Sequence, residues 1–376
     1  MKKLNVLQFI CPAGFYGAEM WILALAKNLA PDRINCQLAI TSESAGQNIE
    51  IFHRFKALGL PAHQIPMKGR FDPRCIMKLV SLIKREHIQV IHTHGYKSDI
   101  LGMCAARLAG IKIVATPHGF ENVKDFKLQL FIRLGCIALR HCDRVAPLSD
   151  ELLADVERIK VPPRRIRLIV NGVDLDETHS ALADPSPPLF DNMAGKKIGY
   201  VGQIAHRKNV GDLIKTFDLF YKDHPDARLF LIGDGPMRPD LESYAASLPS
   251  AANIVFLGYR KDRLKVVREL DLFCMTSSLE GIPRCMMEAM SMGIPVAAFN
   301  ISGVDKLIIH NKTGMMADFG DVNGLKQCWE QILFDQRHAR KIAENGKKHI
   351  LENFSAARMA SEYIGLFQEL AGEQNL

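Results

Sequence analysis

The chain has 376 residues, 48% hydrophobic and 24% charged, with a net charge of +7. That length exceeds one ordinary core and suits two α/β domains, and the composition excludes a disordered, fibrous or repeat protein. No run of eighteen uncharged apolar residues occurs, which excludes a spanning helix, and the apolar stretch 4–10 behind Lys2 and Lys3 is too short for an export signal before Pro12 and Gly14. The nine cysteines form no CxxC pair and no Cys/His ligand spacing, so they read as reduced core thiols of a cytoplasmic protein. Residues 1–180 hold 25 Lys/Arg against 17 Asp/Glu, the remainder 23 against 24. A basic first half fits either an anionic partner or ordinary solvated surface. The dispersed charges carry no aromatic-interleaved basic run, so no nucleic-acid partner is expected.

In chain order, strands are expected at 4–10, 36–41, 89–93, 111–116, 144–149 and 167–170, several apolar on both faces as in a parallel sheet covered on both sides. Helical patterns lie between them at 18–29, 48–58, 73–85 and 98–108. The stretch 124–140 alternates basic residues with Phe126, Leu128, Leu130, Phe131, Ile132, Leu134 and Ile137. Its apolar face either packs on the sheet or lies on an anionic membrane. Residues 179–195, with Pro185, Pro187 and Pro188, lose all periodicity and read as a linker. A second alternation follows, with strands at 198–202, 228–232, 253–257, 272–275 and 295–299, a helix through 213–221 and a final amphipathic helix at 356–370. Alternation of this kind means two doubly wound parallel-sheet domains, 1–178 and 195–355, facing a cleft.

The segment 272–300 carries the most chemistry. A buried strand ends in Thr276-Ser277-Ser278, a loop Glu280-Gly281-Ile282-Pro283 follows, then a helix from Arg284 to Met292. Pro283 suits a first helical position and Gly293 the stop. A helix N-terminus at a strand's carboxyl end offers free N–H groups to an anion, and Gly281 permits close approach. Glu280 and Glu288, beside such an anion, suit the hydroxyls of a polyol better than the phosphate itself. On periodicity alone, both read more readily as solvated charges, Glu280 on a loop and Glu288 on an exposed helix face.

This run resembles the E-x7-E motif of retaining glycosyltransferases with the GT-B fold, family four. The resemblance extends to Gly14-Phe15-Tyr16-Gly17, His118-Gly119, Asn171-Gly172-Val173-Asp174, Gly202 through Lys208, Gly233-Asp234-Gly235-Pro236, Phe256-Leu257-Gly258-Tyr259, Gly293-Ile294-Pro295-Val296 and Gly303-Val304, nearly the whole chain. It implies two Rossmann-like domains about an interdomain cleft, the last helix (about 356–376) returning to the first domain. It also implies transfer of a hexose-type sugar from a UDP- or GDP-linked donor to a glycan or lipid-linked acceptor. Glu280 would contact the sugar and Glu288 the ribose; the N–H groups of Gly281 and Ile282, ahead of Pro283, would hold the phosphates. His118 would face the sugar, Tyr259 and Arg260 the base, and Gly14 and Gly17 would bring backbone close to donor or acceptor.

Arg207 and Lys208 read as a cation clamp on the diphosphate, since cations at a helix start are unfavourable without an anion. Where the family carries an arginine after the glycine this chain has Gln203, so Arg207 is expected to supply the second charge. Asp174-Leu175-Asp176 imitates a metal-binding DxD but coincides with the Asn-Gly-Val-Asp segment and reads as incidental. No metal or other cofactor is expected. His92 and His94 share one strand face, as a metal pair would, but no third ligand presents itself and a structural role is expected. The glycine loop lacks G-x-G-x-x-G spacing, which argues against a dehydrogenase. An epimerase or phosphorylase of the same architecture, or a non-catalytic sugar-nucleotide-binding regulator, are the rival readings. Basic bias in the first half points to cell-envelope or exopolysaccharide assembly, at the cytoplasmic membrane face.

Overall fold

The structure, a computed structural model, describes residues 3–44, 46–69, 72–119, 126–190 and 193–372, with backbone alone for 126–128. Contacts divide the chain into unit 1, Met1–Asn171 with Ala356–Leu376, and unit 2, Gly172–Ser355.

In unit 1 the elements run β1 (Leu4–Ile10), α1 (Gly17–Asn28), β2 (Ile34–Ser42), α2 (Glu50–Ala57), β3 (Ala62–Pro66), α3 (Arg74–Arg85), β4 (Val90–His94), α4 (Tyr96–Ala109), β5 (Lys112–Ala115), α5 (Phe126–His141), β6 (Arg144–Val145) and α6 (Asp150–Arg158). All strands pair in parallel, in the order β3-β2-β1-β4-β5-β6. The central strands β1 and β4 are buried almost throughout, which is why they read as continuous apolar runs rather than alternating ones. Trp21, Ile22 and Leu25 of α1 and Phe55 of α2 cover one face; Leu79 of α3, Leu101 of α4 and Leu139 of α5 cover the other.

Unit 2 continues with α7 (Leu175–Ala183), β7 (Lys197–Val201), α8 (Val210–Tyr221), β8 (Arg228–Ile232), α9 (Arg238–Ala246), β9 (Ile254–Gly258), α10 (Arg263–Val267), β10 (Leu272–Met275), α11 (Arg284–Ser291), β11 (Val296–Asn300), β12 (Met315–Asp318), α12 (Val322–Phe334) and α13 (Gln336–Asn353). Its parallel sheet has the order β12-β11-β10-β7-β8-β9. Renumbered from β7, that is the same 3-2-1-4-5-6 order as unit 1. Phe217 and Phe220 of α8 and Trp329 of α12 fill one core face, while α11 packs against β10, β11 and α13. The last helix, α14 (Ala356–Ala371), belongs to unit 1, where Met359, Tyr363 and Phe367 join the core under α1. Burying each such large apolar side chain is worth about 1.5–3 kcal/mol.

Several expectations need correction. The unit boundary falls at 171/172 rather than 178, and the supposed linker starts too early. Residues 175–183 form α7, which packs on α10 and α11, and Asp174 caps it by accepting from the Asp176 N–H at 3.0 Å. Residues 167–170 form no strand, although Arg167 and Ile169 donate to Val145 and Pro147 carbonyls at 3.0 and 3.1 Å. The edge strands β3 and β12 went unread because edges are short and half-exposed, and so lack a long apolar run. Of the basic amphipathic stretch, Lys124 lies outside the described residues. In α5 one side packs inward, with Ala138 and Leu139 buried, while Leu130, Leu134 and Ile137 are 50%, 42% and 46% exposed. All nine cysteines are free. Among the described residues no helix is long and apolar enough to cross a membrane.

Candidate functional site

In unit 2 the strand order reverses between β7 and β10, and open parallel sheets bind ligands at the carboxyl ends beside such a reversal. After β7 the chain passes through Gly202–Ala205 into a single 3-10 turn, His206–Lys208, and Asn209 (φ +49°) then caps α8. After β10, the Ser278 N–H donates to the Arg207 carbonyl at 2.9 Å and the Thr276 hydroxyl to the Asn209 carbonyl at 2.9 Å. These bonds hold the two loops together and bring their side chains face to face. Lys208 Nζ donates to Glu280 Oε1, and Arg207 Nη1 lies 3.8 Å from Glu280 Oε2. Lys208 and Glu280 are buried, whereas the Arg207 side chain is 52% exposed. The anion that stabilises Lys208 beside the start of α8 is thus Glu280 itself.

The loop bearing Glu280 is fixed by glycine. Gly303 has φ +83°, and a Cβ there would sit 1.6 Å from the Gly281 carbonyl oxygen. Gly233, at φ +140°, would place one 1.9 Å from the Gly202 carbonyl. Any side chain at either position would push these loops apart. The N–H groups of Gly281 and Ile282 meet no acceptor among the described residues. Pro283, expected at the first helical position, is instead the extended residue that caps α11 (φ −71°, ψ 111°), and Gly293 stops the helix at φ +77°.

Glu288 lies one turn into α11, 2% exposed, and its carboxylate accepts from two arginines. Arg284 Nε reaches Oε1 at 2.7 Å; Arg263 Nη2 reaches Oε1 at 2.7 Å and its Nε reaches Oε2 at 3.3 Å. Both arginines also face Glu177 of α7, at 2.8 Å from Arg284 and 3.6 Å from Arg263. Burial raises the Glu288 pKa, but Arg284 and Arg263 together outweigh it and hold the carboxyl below its ordinary value. Half-buried Cys285 feels the charges of Lys208, Glu280 and Glu288, and desolvation pushes its thiol up to about 12, so it stays protonated. Of the other expected donor-binding residues, Gln203 is exposed and its carbonyl accepts from the Tyr200 hydroxyl at 3.0 Å. Tyr259 stands 70% exposed, and Arg260 pairs with Asp262 at 2.6 Å.

In unit 1 the corresponding edge gathers uncharged imidazoles, with an ion pair, Lys97–Glu43, beside them. His94, at the end of β4, bonds His118 Nε2 through Nδ1 at 3.1 Å and Gln8 Oε1 through Nε2 at 2.9 Å. His92 Nε2 meets the Thr116 hydroxyl at 2.7 Å, and that hydroxyl meets the Tyr363 hydroxyl at 2.8 Å. Trp21 packs on all three imidazoles, with ring centroids 5.3–5.8 Å away. Burial pushes His118 down to about 4, and burial followed by histidine neighbours holds His92 and His94 well below their ordinary value. Gly14 and Gly17 flank Tyr16, which starts α1 with its N–H on the Glu19 carboxylate at 2.9 Å. Among the described residues no group of three or more His, Cys, Asp or Glu is placed to hold a metal.

The structure therefore brings Arg207, Lys208 and Glu280 together and places Glu288 in a network the sequence did not announce. Arg284 was findable, four residues before Glu288 on the same helix. Arg263 and Glu177 come from other helices and left no local signal. The same holds for Gln8 and His94 behind His118.

Two six-stranded parallel sheets of the same Rossmann order are the architecture of the GT-B fold. Residues 187–349 match the sequence model of glycosyl transferases group 1, and residues 15–177 that of glycosyltransferase family 4. The chain belongs to that glycosyltransferase family. It is 26% identical over 312 residues, 80% of each chain, to the UDP-Gal:alpha-D-GlcNAc-diphosphoundecaprenol alpha-1,3-galactosyltransferase of Escherichia coli. It is 24% identical over 307 residues, again 80% of each, to the N-acetyl-alpha-D-glucosaminyl L-malate synthase of Bacillus anthracis. Among solved structures, Anabaena HepE in complex with UDP superposes with a TM-score of 0.81 at 19% identity, over 98% of this chain and 100% of that one.

Proposed function

We propose that the protein moves a hexose-type sugar from a UDP- or GDP-linked donor to a hydroxyl of a glycan or lipid-linked acceptor, with retention at the anomeric carbon. The observation that carries this reading is the buried Lys208–Glu280 pair at the switch point of unit 2, beside half-exposed Arg207 and the N–H groups of Gly281 and Ile282. A diphosphate there meets two cations and the positive end of α11, which stabilise the negative charge of the departing nucleoside diphosphate. Arg207 and Lys208 supply the charge a divalent cation would otherwise provide, so turnover needs no metal. Glu280, oriented by Lys208, keeps lone pairs for sugar hydroxyls, and Glu288, bonded three times by Arg263 and Arg284, keeps one acceptor position on Oε2 for the ribose. The exposed Tyr259 ring and Arg260 offer a surface for the base. By the resemblance, His118 contacts the sugar and Gly14 and Gly17 approach the substrates. As the anomeric carbon–oxygen bond to phosphate breaks, the acceptor oxygen bonds that carbon on the same face and its proton passes to the departing phosphate oxygen.

The E. coli relative's name includes a UDP-linked donor and a diphosphoundecaprenol-linked acceptor, which supports a lipid-linked acceptor and cell-envelope glycan assembly here. The exposed stripe Leu130, Leu134 and Ile137, with exposed Arg133 and Arg140 on the same helix, supports peripheral attachment to an anionic cytoplasmic membrane face. Thermal-shift titration with UDP, GDP and ADP, followed by donor turnover on lipid-linked acceptors, tests the assignment. Tight nucleotide binding with no transfer to any acceptor would sink it, and free sugar isomers without a glycoside would redirect it to an epimerase. Failure of the protein to sediment with anionic vesicles at low salt would remove the membrane part.

A further inference from the structure

The three histidines of unit 1 form a directed chain rather than a cluster. The Gln8 amide turns Oε1 toward His94 Nε2 and leaves its Nε2 buried without a partner; a carbonyl oxygen only accepts, so in this orientation the His94 proton sits on Nε2. Burial keeps the imidazoles neutral, so His94 Nδ1 is then bare and can only accept. Its partner, His118 Nε2 at 3.1 Å, must carry a proton and donate. A neutral His118 protonated on Nε2 has a bare Nδ1, and that nitrogen is the one not engaged by His94.

We propose that Gln8 and His94 are positioning residues that fix His118 as the Nε2–H tautomer, so that His118 meets a substrate hydroxyl as a hydrogen-bond acceptor through Nδ1. The geometry around the pair supports this. Trp21 packs edge-on against His118 at 5.3 Å and tilted over His94 at 5.4 Å, which restricts both rings. His92 is tied separately to Thr116 and Tyr363 and does not compete for the His94 nitrogens. The consequence deepens the proposed function and rests on it. A lone pair directed at the sugar is compatible with positive charge developing there during transfer, whereas an N–H or an imidazolium would oppose it.

Long-range proton–nitrogen correlation spectra of the full chain, labelled with ¹⁵N-histidine, test this directly. His118→Gln and His94→Gln supply the assignments. The expected spectrum has protonated Nε2 and bare Nδ1 on both His94 and His118; a protonated Nδ1 on His118 overturns the proposal. Gln8→Glu, which keeps an acceptor facing His94, should retain that tautomer. Gln8→Leu should let His118 populate both forms and lower kcat roughly tenfold, the factor of about one hydrogen bond, with the nucleotide Kd unchanged. Equal kcat for Gln8→Glu and Gln8→Leu, with one tautomer in both, would also overturn it. If the protein transfers no sugar yet His118 shows bare Nδ1, the transferase reading fails while the tautomer assignment stands.

Discussion

The two units share strand order and both place polar side chains at the carboxyl edge of a parallel sheet, yet they solve the burial of those groups in opposite ways. Unit 1 gathers His92, His94 and His118 and keeps them uncharged through burial, passing hydrogen bonds from Gln8 to His118 and from His92 to Tyr363. Unit 2 keeps full charges, pairing Glu280 with Lys208 and Glu288 with Arg263 and Arg284. An isolated buried charge is far costlier than a hydrogen-bonded neutral group, so the charged edge demands partners of opposite sign and the neutral edge only donors matched to acceptors. The same topology thus supports a site suited to an anion and a site suited to hydroxyls.

That contrast can be broken most severely in unit 2. Glu288→Met leaves Arg263 and Arg284 largely buried with only Glu177 to face, and is expected to cost about 3–5 kcal/mol in urea unfolding. Replacing all three charged groups by apolar residues together should recover much of that loss. Lys208→Ala strips the clamp of its buried cation and should lower kcat by about 10²–10³ with the nucleotide-sugar donor, while Lys208→Arg retains part of the activity. Little loss on Lys208→Ala would remove the clamp from the mechanism.

The acid limb sharpens the comparison. The histidines of unit 1 have folded-state pKa values depressed below 6.5, to about 4 for His118, so the unfolded chain binds their protons first. Each of these histidines therefore costs unit 1 stability as pH falls from about 6.5 toward 4, opposed in part by the single carboxyl of Asp99, which burial raises to about 7. Glu288 is depressed below 4.5, so its contribution persists above that value and is lost only as pH falls through its lower folded-state pKa. Hydrogen exchange should show β4 and β5 losing protection at higher pH than β10 and β11; simultaneous loss would contradict the assignment. The smallest effect is expected from Tyr363→Phe, about 1 kcal/mol, because it removes one hydroxyl from the His92–Thr116 chain and leaves the ring packed. With Arg207 and Lys208 in the proposed role, chelator-treated protein should turn over at the untreated rate, and a loss on chelation would contradict that role.

Much of this was legible in the chain. Continuous apolar runs at β1 and β10 announced buried parallel strands, and the strand–loop–helix order around Gly281 offered an anion a helix start, while the roles of Glu280 and Glu288 came from the family resemblance and not from spacing. Local spacing is what strands, caps and helix faces depend on. The partners were not legible. That Glu280 neutralises Lys208 across 72 residues, that Glu288 is held by Arg263 from another helix, and that Gln8 reaches His118 through His94 depend on which loops the sheet order brings side by side. The sequence by itself determined the elements and the kinds of chemical group at their ends. Only the tertiary structure decided which of those groups meet and which are buried, because those properties depend on neighbours distant in the chain.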